Sequence, residues 1–186
     1  MLTLDTKRLM LRQVQEGNLN LFRNLLQDPY YLRYLPQNTS FSNIEVDTFM
    51  RRRIIHWRKG FGVFVIYLKS KPRQAIGFVG VESSPNPLYS DLRFMILKKY
   101  QGQGYAFEAS ARCIDFVFHS KLEKQIYAVC LVENKASVSV LKKLGMAEVE
   151  NIMLYQAIDQ ARKTFRITSE FDENCKMNTI IKNVYI

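Results

Sequence analysis

SDLRFMILKKYQGQGYAFEA, residues 90–109, begins as an extended apolar run, breaks at two glycines two apart, and resumes with helical spacing. Residues 90–98 read as a strand. From Tyr105 to Ser120 the apolar side chains of Ala109, Cys113, Phe116 and Val117 share one helical face. Glycines at such a junction let backbone amides approach what side chains would block. A helix beginning near Gly104 offers unpaired amides and the positive end of its dipole, which together suit an anion. An ordinary glycine turn is the plain alternative. A dinucleotide fingerprint fails because the third small position, counted from Gly102, is Phe107. A Walker A loop fails because no GK[ST] follows.

Upstream, TKRLMLRQV (6–14) reads as a strand and EGN (16–18) as a turn. Asn18 is placed to cap a short helix through Asp28, ended by Pro29. PYYLRYLPQNTSFSN (29–43) reads as a tyrosine-rich loop, and Ser42 or Asn43 as the cap of a helix over 44–58 with a stripe of Val46, Phe49, Met50, Ile54 and Trp57. GVFVIYLK (62–69), QAIGFVGVE (74–82) and SDLRFMILK (90–98) are joined by short connectors, so they predict an antiparallel meander. Downstream come a strand at 124–132, a helix over 135–144 capped by Asn134 and stopped by Gly145, and two strands near 146–155 and 163–171. The order predicts one mixed α/β domain over 1–171. Residues 172–186 are expected to be an added strand or a tail.

The chain has 186 residues, 47% hydrophobic and 24% charged, in keeping with a single globular domain. No apolar stretch is long enough to span a bilayer, and the opening lacks a signal-peptide pattern, so no membrane partner and a cytoplasmic location are expected. Cys113, Cys130 and Cys175 are widely spaced, which suggests neither a disulfide frame nor a metal site. The 27 basic residues outweigh the 17 acidic ones, giving +10 and favouring anionic partners. MRRRIIHWRK (50–59) reads as a solvated basic face, with Arg51, Arg52, Arg58 and Lys59 mainly off the stripe; no motif points to sequence-specific nucleic acid. His56 and His119 are isolated and read as structural.

QGQGYA (101–106) matches Q/R-x-x-G-x-G/A, the acyl-CoA motif of the GNAT acetyltransferases. DTKRLMLR (5–12) resembles the opening strand of the RimJ/RimL-type branch, which acetylates ribosomal-protein N-termini, and ENKASVSVLKKLGM (133–146) resembles its downstream segment. The resemblance runs from residue 5 to about 171. It implies a mixed, mostly antiparallel sheet of about seven strands with helices on both faces, splayed between the strands at 90–98 and 124–132. Acetyl-CoA would lie in that splay, with no metal. Amides of Gln101, Gly102, Gln103, Gly104, Tyr105 and Ala106 would hold its pyrophosphate, with Lys98 or Lys99 adding charge. A backbone N–H among Met95, Ile96 and Leu97 would polarise the thioester carbonyl. Asn134 would orient the pantetheine.

The implied reaction is attack of a neutral amine on the thioester in a ternary complex. Asp91, eleven residues before Gly102 where the branch usually has glutamate, is the first candidate base, acting through water because it is shorter. Glu82 is the second. Leu141 stands where many members have an acidic tyrosine, and Ser137 matches the serine that takes its place in the branch. At neutral pH on the order of a tenth of an α-amine is unprotonated, against a few in ten thousand for lysine, so a distant base suits an N-terminal α-amine. A small amine remains open, as does a CoA-binding sensor that has lost catalysis. The chain is expected to be a monomer or homodimer. The tyrosines at 30, 31 and 34 either line the acceptor entrance or pack their loop.

Overall fold

The computed structural model describes residues 1–35, 39–155 and 161–169. The chain opens with a hairpin of β1 (Thr3–Asp5) and β2 (Leu9–Gln13). One opening strand was expected, but Thr6 folds the segment back. Its N–H donates to the Leu9 carbonyl (3.0 Å), and its Oγ1 accepts the Leu9 N–H (2.9 Å). Next come α1 (Leu19–Leu26), the single turn α2 (Pro29–Leu32) and α3 (Asn43–His56). Asn18 does not cap α1 through its side chain; Oδ1 accepts the Gln15 N–H (2.9 Å) and closes a short 3₁₀ turn instead. Pro29 ends one helix and starts the next, because Asp28 caps it by accepting the Tyr30 N–H (2.9 Å). Ser42 and Glu45 form the reciprocal capping box that begins α3.

The meander follows as β3 (Val63–Leu68), β4 (Lys71–Ser83) and β5 (Ser90–Ile96), then α4 (Tyr105–His119), β6 (Gln125–Leu131), α5 (Lys135–Lys143), β7 (Ala147–Val149) and β8 (Arg162–Thr168). Among the described residues they form an eight-stranded sheet ordered β1-β2-β3-β4-β5-β6-β8-β7. Every neighbouring pair is antiparallel except β5–β6, which is parallel. The proposed extension over 172–186 lies outside the described residues.

Both faces of the sheet are covered, which explains the uninterrupted apolar run of β3. Phe64 and Ile66 join the core beneath α4 and α5, while Val63 and Val65 join the core beneath α1, α2 and α3. β5 alternates in the same way. Leu92 and Ile96 face α4, so Asp91, Arg93 and Met95 face the α1–α3 side.

Gly77 lets β4 lie close against β5. A Cβ there would stand 2.2 Å from the Met95 carbonyl oxygen and 2.9 Å from Ile96 Cα. Both obstacles are backbone, so β5 would have to move. Gly77→Ala is expected to destabilise the fold by about 1–3 kcal/mol; a chemical denaturation midpoint equal to wild type would show that the strands have room.

Candidate active site

The loop after β5 makes one 3₁₀ turn over Lys98–Tyr100 and then runs exposed to α4. Gly102 (φ +74°) and Gly104 (φ +81°) both sit in the left-handed region, where a side chain is strained. Gly104 is the N-cap residue of α4, and no side chain caps that helix. Its first amides therefore open on the loop. Residues 101–106, the predicted cradle, thus form an exposed loop with two left-handed glycines that ends on a helix N-terminus.

A group missed by the sequence reading holds this loop in place. Glu108, in the first turn of α4, is buried. Its Oε1 accepts from Thr6 Oγ1 (2.6 Å) and the Arg8 N–H (2.8 Å), and its Oε2 takes Arg8 Nε (2.6 Å). The Arg8 Nη1 then donates to the Gln103 carbonyl (2.9 Å), and the guanidinium lies 4.5 Å from the Tyr105 ring centre. Thr6 and Arg8 belong to the DTKRLMLR segment, so that segment's polar residues anchor the cradle. The available signal was a glutamate four residues past Gly104, in a first turn with no other acid. Glu108→Gln removes the charge but not the volume. It is expected to weaken stability by about 1.5–3 kcal/mol and acetyl-CoA affinity along with it; titration calorimetry with an unchanged dissociation constant would show the clamp to be irrelevant to the cradle.

β5 and β6 share one register pair, Asp91 with Tyr127. Beyond it the strands part, and among the described residues the rest of the β6-facing edge of β5 has no strand beside it. The Leu97 N–H donates to the Ile76 carbonyl (2.8 Å), so the backbone groups of Leu97, Met95 and Arg93 point to β4. This corrects the expectation for Met95 and Leu97. Of the three residues proposed, Ile96 turns its backbone into the gap, and Phe94 does so as well. The Ile96 carbonyl already accepts Gln101 Nε2 (2.8 Å), which leaves the N–H groups of Phe94 and Ile96 facing the opening.

The carboxylates sit on the other face of β5. Glu82 and Asp91 are direct cross-strand partners, both buried. Glu82 pairs with Arg53 of α3 at 3.2 Å, and both side chains are under a tenth exposed. Asp91 Oδ2 accepts Arg93 Nε (2.9 Å) and the Tyr155 hydroxyl, which itself accepts from Arg93 Nη2. Asp91 Oδ1 is buried with no partner among the described residues. Burial raises the Asp91 carboxyl above the usual range, with Arg93 and Tyr155 opposing it. Burial likewise pulls Arg53 down to about 10, against the pull of Glu82, so it stays charged at neutral pH. Arg53 and Tyr155 were not singled out from the sequence. Arg53 falls on the apolar stripe with Val46 and Met50, which was the readable clue.

The tyrosines join α2 to the cradle. The Tyr30 hydroxyl donates to Gln101 Oε1 (2.9 Å), and the Tyr31 hydroxyl accepts the Lys98 N–H (2.9 Å). Arg33 stacks over the rings of Tyr30 (4.1 Å) and Tyr34 (4.8 Å). Lys98 and Lys99 are exposed, and Lys98 lies over the Tyr30 ring at 4.6 Å.

A family model of the acetyltransferase (GNAT) domain matches residues 8–147, more than half of the chain. The chain belongs to the GNAT acetyltransferases. It is 28% identical over 151 residues to the uncharacterized protein YkkB of Bacillus subtilis (strain 168), covering 77% of this chain and 84% of that one. Its fold matches that of RimL, a ribosomal L7/L12 α-N-protein acetyltransferase in complex with coenzyme A, with a TM-score of 0.74 at 14% identity over 92% of this chain and 100% of that one. It also matches spermidine N-acetyltransferase from Vibrio cholerae in complex with CoA and spermine, with a TM-score of 0.71 at 24% identity over 87% and 95% of the two chains. GNAT enzymes use acetyl-CoA as the acetyl donor.

In this GNAT domain Asn134 caps α5 by accepting the Ser137 N–H at 3.1 Å, so the pair stands together at the helix start. Leu141 is buried in the core under α4 and α5. His56 is structural: Nε2 accepts the Ser83 N–H (2.9 Å), leaving Nδ1 to donate to the Phe61 carbonyl (2.9 Å). Arg51, Arg52, Arg58 and Lys59 are exposed, in keeping with a solvated basic face.

Proposed function

We propose that this GNAT enzyme acetylates a primary amine by direct attack within a ternary complex, with a protein N-terminal α-amine as the favoured acceptor. The observation that carries this reading is the unpaired edge of β5 running straight into the uncapped start of α4. The pantetheine arm has the amides to pair with such an edge, as an added strand would. The pyrophosphate then falls at residues 101–106, and Asn134 orients the arm from the opposite side. A gap-facing N–H, of Phe94 or Ile96, polarises the thioester carbonyl.

The amine enters from the α1–α3 face, where Asp91 Oδ1 takes its proton through a water. A raised carboxyl serves better here than an ordinary one, because it is a stronger base. Glu82 is the weaker candidate, held in its ion pair with Arg53. Ser137, one turn into α5, is the candidate donor to the departing sulfur. The likeness to RimL supports an α-amine, and the likeness to the spermidine enzyme supports a small amine. The buried Leu141 favours a second reading, a CoA-binding sensor without turnover.

Titration calorimetry with acetyl-CoA, beside Gly104→Glu, tests the site. Binding that disappears in the variant is expected, since the added charge and bulk sit at the pyrophosphate. No binding to folded wild type would overturn both readings, and binding without thiol release from any amine would leave the sensor. A cysteine relay is disfavoured on chemical grounds. Burial pushes the Cys113 thiol up to about 12 and Cys130 up to about 11, leaving on the order of one thiolate in ten thousand or fewer at neutral pH. Cys130→Ala is therefore expected to keep kcat within about twofold, measured by thiol release, with a near-complete loss showing an acetyl-cysteine intermediate.

A further inference from the structure

We infer that the acceptor carries a carboxylate close to its reacting amine, and that Arg93 is the residue that selects it. This rests on the acetyltransferase reading above and narrows its acceptor class. On the α1–α3 side of β4 and β5, Glu82 and Asp91 meet Arg93 and the Arg53 of α3, two carboxylates and two guanidiniums arranged unequally. Both carboxylates are covered: Glu82 is closed in its pair with Arg53, and the Asp91 side chain is 6% exposed. Arg93 differs, with a third of its side chain open to solvent. Its Nε is given to Asp91 and its Nη2 to the Tyr155 hydroxyl, which fixes the plane of the guanidinium. Among the described residues Nη1 has no hydrogen-bond partner, so its two N–H groups are the polar pole of this face.

That pole has a defined address. Phe94, the next residue, turns its N–H into the gap where the thioester is placed, while Arg93 points to the acceptor side. An amine reaching the thioester passes the guanidinium, within about one to three residues of strand, or ~3–10 Å. Nearby surface charge has the same sign. Lys59 Nζ bonds to Ser83 Oγ at 2.7 Å, one residue beyond Glu82, and Arg52 and Arg58 are exposed on the same helix end. A polycation would meet this field with the two described carboxylates of the face, Glu82 and Asp91, both buried. A carboxylate would meet a rigid, half-desolvated donor, the setting in which charge-assisted hydrogen bonds are strongest.

The test uses matched peptides with free N-termini, each with one Glu, Gln or Lys at its first, second or third residue, together with free glutamate and spermidine. Thiol release from acetyl-CoA is followed for wild type and Arg93→Gln. Wild type is expected to favour one glutamate series over its glutamine match by roughly tenfold or more in kcat/KM, mainly through KM. The favoured position, or free glutamate, reports whether the carboxylate is a side chain or an α-carboxylate. In Arg93→Gln that ratio is expected to collapse to about one, whereas a merely structural role would lower both members of a pair alike. Equal rates for Glu and Gln in wild type, a preference for lysine or spermidine, or a ratio that survives Arg93→Gln would each overturn the inference. The wild-type series decides even if the variant does not fold. Acetyl-CoA binding, measured separately, keeps the two levels apart: no binding sinks the acetyltransferase reading itself, while binding and turnover without carboxylate preference sink this inference alone.

Discussion

The unpaired edge of β5 is the feature around which the rest of this structure is arranged. A strand without a neighbour exposes amides and carbonyls that folding normally satisfies, so it persists only where the surroundings hold it open and a ligand or solvent answers it. Here the other edge of β5 is locked to β4 along its whole length, from Gly77–Ile96 to Ser83–Ser90. β6 is held by β8 on its far side, again along its length. Each strand thus has one complete ladder, and the two share one register pair, Asp91–Tyr127, beside the Ser90 Oγ bond to the Gln125 carbonyl. The gap is kept apart by ladders on both sides, not by a loose strand.

Strand alternation then assigns the two faces of β5 different tasks. Side chains on the α4 face are apolar and seal the core beneath the cradle helix. Those on the α1–α3 face carry Asp91 and Arg93. Backbone groups pointing sideways, at Phe94 and Ile96, face the gap between them. Three directions from one strand therefore supply packing, charge and hydrogen-bond donors. The loop that follows is tied to distant parts of the chain through Arg8, Tyr30 and Tyr31. Its geometry does not depend on local contacts alone.

Periodicity made the meander, α3, α4 and α5 legible, because these elements are long and their apolar spacing is unambiguous. The cap at Asn134, the stop at Gly145 and the position of the splay were legible for the same reason or from the resemblance to GNAT enzymes. What escaped depended on side chains meeting across the fold. Thr6 and Glu108 are 102 residues apart, and nothing local tells a buried helix glutamate from a solvated one. The β1–β2 turn was hidden because a threonine side chain, not a glycine or proline, makes it. Arg53 was read past because the basic run MRRRIIHWRK looks like one solvated face, although one of its four arginines turns inward. Which N–H groups face the gap was undecidable from sequence, since the choice rests on strand register and a single slip reverses it.

The inward arginine bears on the question of catalysis against sensing. A buried ion pair such as Arg53–Glu82 is weak support for stability, because the desolvation of both charges offsets their attraction. A fold kept only to bind CoA has little reason to hold such a pair beside the proposed acceptor site, next to the half-buried Asp91–Arg93 pair. The absence of a tyrosine at Leu141 weighs little against turnover. A thiol titrates near 8.5, so a departing thiolate needs little help at neutral pH. The harder demands are a polarised carbonyl and an amine relieved of its proton, and the proposed mechanism gives these to a backbone N–H and to Asp91, whose buried second oxygen has no partner among the described residues. By that reasoning the residue missing from α5 removes the most dispensable of the three roles, and β5 still carries the proposed candidates for the two that direct transfer requires.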